Sequence, residues 1–323
     1  MDYISMHQSC VIVDAHCDTL TVLQEQKREL GPLSPVGHVD LHRLKDGGVN
    51  VQFFAIFVHP SFGELRGIER TLEIIDIFYQ QLEKYGEQLA LATSKKMIEQ
   101  IVQQSKIAAV LSIEGGEALG NKINMLNIYY QLGVRCLTLT WNGRNSLADG
   151  VNERHTKGGL TRFGTEVVRK MNQLGMLIDV SHLSNYGFWD VLAVSTKPVL
   201  ATHSNCATLC PHPRNLTDQQ IVSLADKGGV IGLTLVPQFI STDKPSLVKY
   251  LDHIDYIVNL IGNTKHIGIG TDFDGVDQTL PELSDCSQLS LITEGLTKRG
   301  YNEIDIKNIL GGNFLRIFGE VVG

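Results

Sequence analysis

Short apolar runs rich in β-branched residues recur along this chain, separated by at least a helix length, and five of them end in an ionisable side chain. The five are Val11-Ile-Val-Asp14-Ala-His16-Cys-Asp18, Ala108-Ala-Val-Leu-Ser-Ile-Glu114, Ile178-Asp-Val-Ser-His182, Val199-Leu-Ala-Thr-His203 and Ile267-Gly-Ile-Gly-Thr-Asp272. Near-continuous apolar character, as opposed to strict alternation, marks strands covered on both faces, as in a parallel sheet. Residues 49–58, 134–141 and 229–236 have the same composition and bring the predicted strands to eight.

Helical periodicity fills the intervals. Leu72, Ile75, Phe78, Tyr79 and Leu82 share one face of a helix over 70–85, and further helices are predicted over 94–104, 121–132, 165–174 and 247–261. Gly133 and Gly175 close two of them, and another starts at the capping residues Thr217-Asp218. Residues 303–321 read as a final helical pair packing across the barrel. Two stretches break the rhythm. Residues 19–39, with Gly31, Pro32, Pro35 and Gly37, form an irregular excursion that reads as a lid, and the polar connection 142–160 is too long for an ordinary loop, which predicts a functional one.

Eight strand and helix alternations predict a closed (β/α)8 TIM barrel in one domain, residues 1–323, since open doubly wound sheets usually have fewer strands and a crossing point. The dinucleotide-binding alternative lacks its fingerprint: Gly268-Ile-Gly270 has no third glycine at 273, and no phosphate-binding P-loop occurs.

Composition narrows the partners. A net charge of −7 over 323 residues, with no Lys/Arg cluster, argues against nucleic acid and anionic membrane and leaves a small molecule as the expected substrate. No apolar run reaches the roughly 18 residues needed to cross a bilayer, and the first residues lack the pattern of a secretion signal, so the expected location is cytoplasmic. Six cysteines are too few for a disulfide scaffold, and Cys206 and Cys210 stand without the second pair of a structural zinc site.

The chemistry lies in what ends the strands. His16 and Asp18 are two apart on an extended chain and so face the same way. Each of His16, Asp18, Glu114, His182 and His203 has an ordinary explanation alone: a capping carboxylate, a turn, a hydrogen-bonded histidine. Their placement at the same end of the barrel strands is what predicts a metal centre. Imidazole and carboxylate suit zinc, with manganese, iron or cobalt as substitutes, and five ligands exceed the three of a single catalytic zinc, so two ions are expected. Asp272 lies where a carboxylate can move a proton from an activated water. A calcium loop is excluded there, because counting from Asp272 puts Val276 and Leu283 at positions needing oxygen ligands. Arg214 follows the strand ending at His203 and lies on the same face. No Gly-x-Ser-x-Gly elbow offers a serine nucleophile.

Asp14-Ala-His16-Cys-Asp18, Ile113-Glu114-Gly-Gly, Leu137-Thr-Leu-Thr140, Leu177-Ile-Asp-Val-Ser-His182, His203-Ser, Arg214-Asn215, Gly270-Thr-Asp272-Phe-Asp-Gly and Gly312-Asn-Phe-Leu-Arg316 together resemble the membrane (renal) dipeptidase family of the amidohydrolase superfamily. The resemblance runs from about residue 10 to 320. It implies a metallo-dipeptidase with two zinc ions bridged by Glu114, one also held by His16 and Asp18, the other by His182 and His203. Hydrolysis through a hydroxide shared by the ions, Asp272 on proton transfer and Arg214 with Asn215 on substrate are likewise implied. Mammalian members carry a substrate-contacting histidine after Leu-Thr-Leu-Thr, where this chain has Trp141 and then Asn142. Those two positions are therefore expected to shape substrate range. A soluble microbial-type enzyme is expected, with a homodimer allowed. The rival readings are another amidohydrolase reaction, such as deacylation of N-acyl-amino acids or lactone hydrolysis, and a non-catalytic ligand-binding barrel.

Overall fold

The computed structural model describes residues 2–323. Nine parallel strands make one sheet: β1 (Ile12–Cys17), β2 (Val49–Phe57), β3 (Leu89–Leu91), β4 (Ile107–Glu114), β5 (Val134–Thr138), β6 (Leu177–Asp179), β7 (Leu200–Ala201), β8 (Val230–Leu233) and β9 (Ile267–Ile269). β1 pairs with both β2 and β9, and β2 pairs with β4, which closes an eight-stranded barrel of β1, β2 and β4 to β9. The predicted barrel is the observed one. The addition is β3, three residues lying beside the first residues of β4, Leu89 opposite Ile107.

Several barrel strands are shorter than the apolar runs that predict them, and the cause is local. β6 stops at Asp179 because the carboxylate of that residue takes the backbone N–H groups of Ser181 and Thr202, each at 2.9 Å, in place of ladder partners. β9 stops at Ile269, and the N–H of Thr271 goes to the Asp14 carboxylate at 2.8 Å. Freed from the ladder, the chain past each strand turns its next polar residues into the barrel mouth.

The opposite end is plugged. Phe314, Ile317, Phe318 and Val321 of the helix Asn313–Val321 form a second apolar cluster with Val13, Val51, Phe53, Ala108 and Val110 from the early parts of the strands. A methyl group built on Gly268 would lie 2.2 Å from the Phe314 ring, so that glycine admits the plug. The predicted final helical pair is thus present, joined by a π turn at Asn308–Gly312.

The helix predicted over 70–85 begins earlier, at Gly63, and runs to Tyr85. Within the added turns, Gly67 packs on the backbone of Glu117, where a Cβ would come within 2.5 Å of the carbonyl oxygen. Residues 19–39 start as a short helix, Thr19–Val22, and continue as turns. They are tied to the loop after β9 by Arg28, which donates to Asp274 at 2.6 Å and to the carbonyl of Val39 at 2.7 Å. Asp274 also accepts from the His38 amide and the Thr19 hydroxyl, so it anchors this segment and leaves Asp272 as the carboxylate facing the barrel mouth.

Candidate metal centre

Six side chains from five strand ends meet at the C-terminal mouth of the barrel: His16 near the end of β1 and Asp18 just after it, Glu114 closing β4, His182 after β6, His203 after β7 and Asp272 after β9. The two oxygens of Glu114 face different partners. Oε2 lies 3.6 Å from His16 Nε2, and Oε1 lies 2.9 Å from His182 Nε2 and 3.6 Å from His203 Nε2. On the first side, His16 Nε2 is also 3.3 Å from Asp18 Oδ2 and 3.8 Å from Asp272 Oδ1. On the second, the Nε2 atoms of His182 and His203 are 2.8 Å apart. One carboxylate therefore stands between two groups of donor atoms.

The backbone is shaped for this. His182 and Asp272 have φ of 67° and 65°, the left-handed region that residues with a Cβ seldom adopt, and such conformations gather at functional sites. Gly275 backs onto Asp18 and Asp272; a Cβ there would lie 2.3 Å from one carboxylate oxygen and 2.5 Å from the other.

The donor set fits cations. Three carboxylates, Asp18, Glu114 and Asp272, share a buried mouth with Arg214. Burial resists charge on His16, yet Glu114, Asp18 and Asp272 outweigh it and push the imidazole up to about 10. Burial, helped by Asp18 and Asp272, pushes the Glu114 carboxyl well up despite His16. Both directions express a deficit of positive charge. Burial keeps His182 and His203 well below the usual imidazole range, hence neutral, the form that ligates. Nε2 of His16 and Oδ1 of Asp18 are buried without a hydrogen-bond partner, the condition a metal ion relieves.

A cavity of roughly 700 Å³ opens above these residues. Arg214, 4% exposed, reaches it after donating to the carbonyl of His203 at 2.9 Å, and its Nε has no partner. Asn142 lines the cavity and accepts from His182 Nδ1 at 2.8 Å. Trp141 forms an aromatic wall with Phe57 and His59, ring centroids 5.3 and 5.7 Å away. Asp272 also faces the cavity, and burial, then Asp18, raise its carboxyl to about 7 against the pull of His16 and Arg214.

Asn215 lines a smaller neighbouring cavity that shares His182 and Arg214 with this one; its Nδ2 donates to the carbonyls of Cys210 and Phe239, and its Oδ1 accepts from the amide of Asn205. With donors and acceptor committed, Asn215 braces the loop that carries Arg214. Sequence reasoning in turn passed over Phe57, His59 and the buried carboxylates Asp14 and Asp179. The signal for the last two was an acidic residue inside an apolar run, shortly before a site histidine.

A model of the membrane dipeptidase family, peptidase family M19, matches residues 3–322. Dipeptidase verJ of Clonostachys rogersoniana is 35% identical over 297 residues, covering 88% of this chain and 76% of that protein. Dipeptidase aclJ of Aspergillus oryzae is 32% identical over 297 residues, covering 88% and 70%. The crystal structure of dipeptidase AC, a metallo peptidase of family M19, matches with a TM-score of 0.89 and 25% identity, covering 98% of this chain and 99% of that one. Among the described residues, no helix is long and apolar enough to cross a membrane.

Proposed function

The chain belongs to the membrane dipeptidase family, peptidase family M19, and from that premise we propose that it hydrolyses free dipeptides with two divalent metal ions, zinc by the character of the ligands. The observation that carries this reading is the division of the Glu114 carboxylate, one oxygen toward His16, the other toward His182 and His203.

In this reading His16 and Asp18 hold one ion, His182 and His203 the other, and Glu114 bridges them. Bound there, the ions would activate a water and polarise the peptide carbonyl. The rest of the chemistry belongs to the chain. Asp272, which faces the cavity with its Oδ1 beside His16, takes the proton of the attacking water and returns it to the leaving amine. Arg214, which lines the cavity, fixes the terminal carboxylate of the substrate. The segment 19–39, through Thr21, Val22 and Glu25, and the loop 142–160, through Asn142, Val151 and Asn152, both line the cavity and limit the length of what enters. Trp141 and Phe57 give the substrate side chain an apolar face.

The test is a panel of free dipeptides, their C-terminal amides and N-acyl-amino acids, offered to purified, metal-loaded protein. Free dipeptides should be cleaved best. Arg214→Met should raise KM or lower kcat/KM for them while affecting the amides far less. Equal cleavage of dipeptides and amides, or faster turnover of N-acyl-amino acids, would contradict the proposal.

A further inference from the structure

The three site histidines differ at the nitrogen turned away from the carboxylates. His16 Nδ1 has no partner, His182 Nδ1 meets an amide oxygen of Asn142, and His203 Nδ1 lies 2.7 Å from the hydroxyl of Thr202. A hydroxyl can donate or accept, so on its own it leaves the proton of His203 undetermined. What determines it lies one residue further on.

Asp179 is fully buried and accepts four hydrogen bonds: from the backbone N–H of Ser181 and of Thr202 at 2.9 Å each, and from the hydroxyls of Thr138 and Thr202 at 2.6 Å each. A hydroxyl has one hydrogen. That of Thr202 goes to the carboxylate, the stronger acceptor, so toward His203 the Thr202 oxygen can only accept. His203 Nδ1 must then carry the ring proton, which leaves the lone pair on Nε2, the atom turned toward Glu114 and His182. The backbone of the same residue is held too, its N–H donating to Ser181 Oγ at 3.2 Å.

We infer that Asp179, acting through the Thr202 hydroxyl, sets the tautomer of His203 and thereby its competence as a metal ligand. Asp179 and Thr202 are positioning residues; neither lines the main cavity. The same arrangement without the hydroxyl would let His203 exchange its proton between nitrogens, and each molecule with the proton on Nε2 would be unable to ligate. Partners of this kind behind a ligating histidine are typically worth about 10-fold to 100-fold in metal affinity.

This inference rests on the metal-centre reading for its consequence but not for its structural claim, and two measurements keep them apart. In metal-free protein labelled with 15N-histidine, long-range 1H–15N correlation should show His203 with Nδ1 protonated, and Thr202→Val should mix the tautomers. In metal titrations with zinc or cobalt, Thr202→Val should weaken one of two ions about 10-fold to 100-fold, whereas Thr202→Ser, which keeps the hydroxyl, should bind as the wild type does. A wild-type His203 protonated on Nε2 would overturn the inference, as would wild-type affinity in Thr202→Val or equal losses in the Val and Ser variants. Failure of the wild type to bind a second ion would instead strike the metal-centre reading, and the tautomer in the metal-free protein would still decide this one.

Discussion

Asp14 takes both the backbone N–H and the hydroxyl of Thr271, at 2.8 and 2.7 Å, and so joins the first strand of the barrel to its last, one residue before Asp272. Asp179 does the same to Thr202, one residue before His203. Both carboxylates are fully buried. Each replaces a stretch of sheet ladder with side-chain acceptors at the point where the chain must turn into the mouth.

The seam formed by Asp14 is expected to matter for stability. Asp14→Ala leaves the N–H of Thr271 and the amide of Gln52, which donates to the same carboxylate at 3.0 Å, without that partner in the interior. Each buried group left unsatisfied costs about 1–3 kcal/mol. Urea unfolding of the metal-free protein should show a loss of about 3 kcal/mol or more as a lower midpoint with the slope unchanged. A loss well below 1 kcal/mol would mean that the seam is held elsewhere.

Asp272 is expected to separate binding from chemistry. As a proton carrier, its replacement in Asp272→Asn should lower turnover by roughly 100-fold to 10,000-fold while elemental analysis finds the metal content unchanged. Near-normal turnover would remove Asp272 from the mechanism.

Acid should weaken the fold through histidines far from the site. His7 donates from Nε2 to the carbonyl of Gly47 and accepts the Thr293 hydroxyl on Nδ1; His253 donates from Nε2 to the carbonyl of Ile240 and accepts the amide of Cys206 on Nδ1. Protonation of His253 would set a second N–H against the Cys206 amide, an obligate donor, whereas the Thr293 hydroxyl can turn to accept from His7; burial lowers both pKa values below the ordinary 6.5. As pH falls through 6.5 the unfolded chain takes up these protons and the folded one does not, so stability is full above that value and declines below it. Other groups titrate over the same window, Asp272 among them with the opposite sign, so the check is a difference: between pH 7.5 and 5.5 the melting temperature of metal-free His253→Gln should fall less, or rise more, than that of the wild type. Equal slopes would exclude His253 as a contributor.

Much of this was legible in the sequence because burial on both faces leaves a strong apolar signature and because a strand must end where its polar residues begin. The barrel, the helix Leu247–Ile261 and the convergence of His16, Asp18, Glu114, His182, His203 and Asp272 follow from that. The strand ends were overextended, since an apolar run cannot reveal that Asp179 or Asp14 will take the backbone hydrogen bonds of a neighbouring strand. The helix Gly63–Tyr85 starts seven residues before the predicted 70 because its first turns, with Gly63 and Gly67, lack the apolar spacing that marks the rest. The hydrogen bonds of the Asn215 amide to Cys210, Phe239 and Asn205 were not legible, because partners across an irregular loop leave no periodic signal.

Whether Glu114 bridges two metal positions is decided by counting metal in paired variants. Elemental analysis after saturation and removal of free metal should find two ions per chain in the wild type, loss at both positions in Glu114→Gln, and loss mainly at one in His182→Ala. One ion per wild-type chain, unchanged in Glu114→Gln, would exclude a bridging role for Glu114.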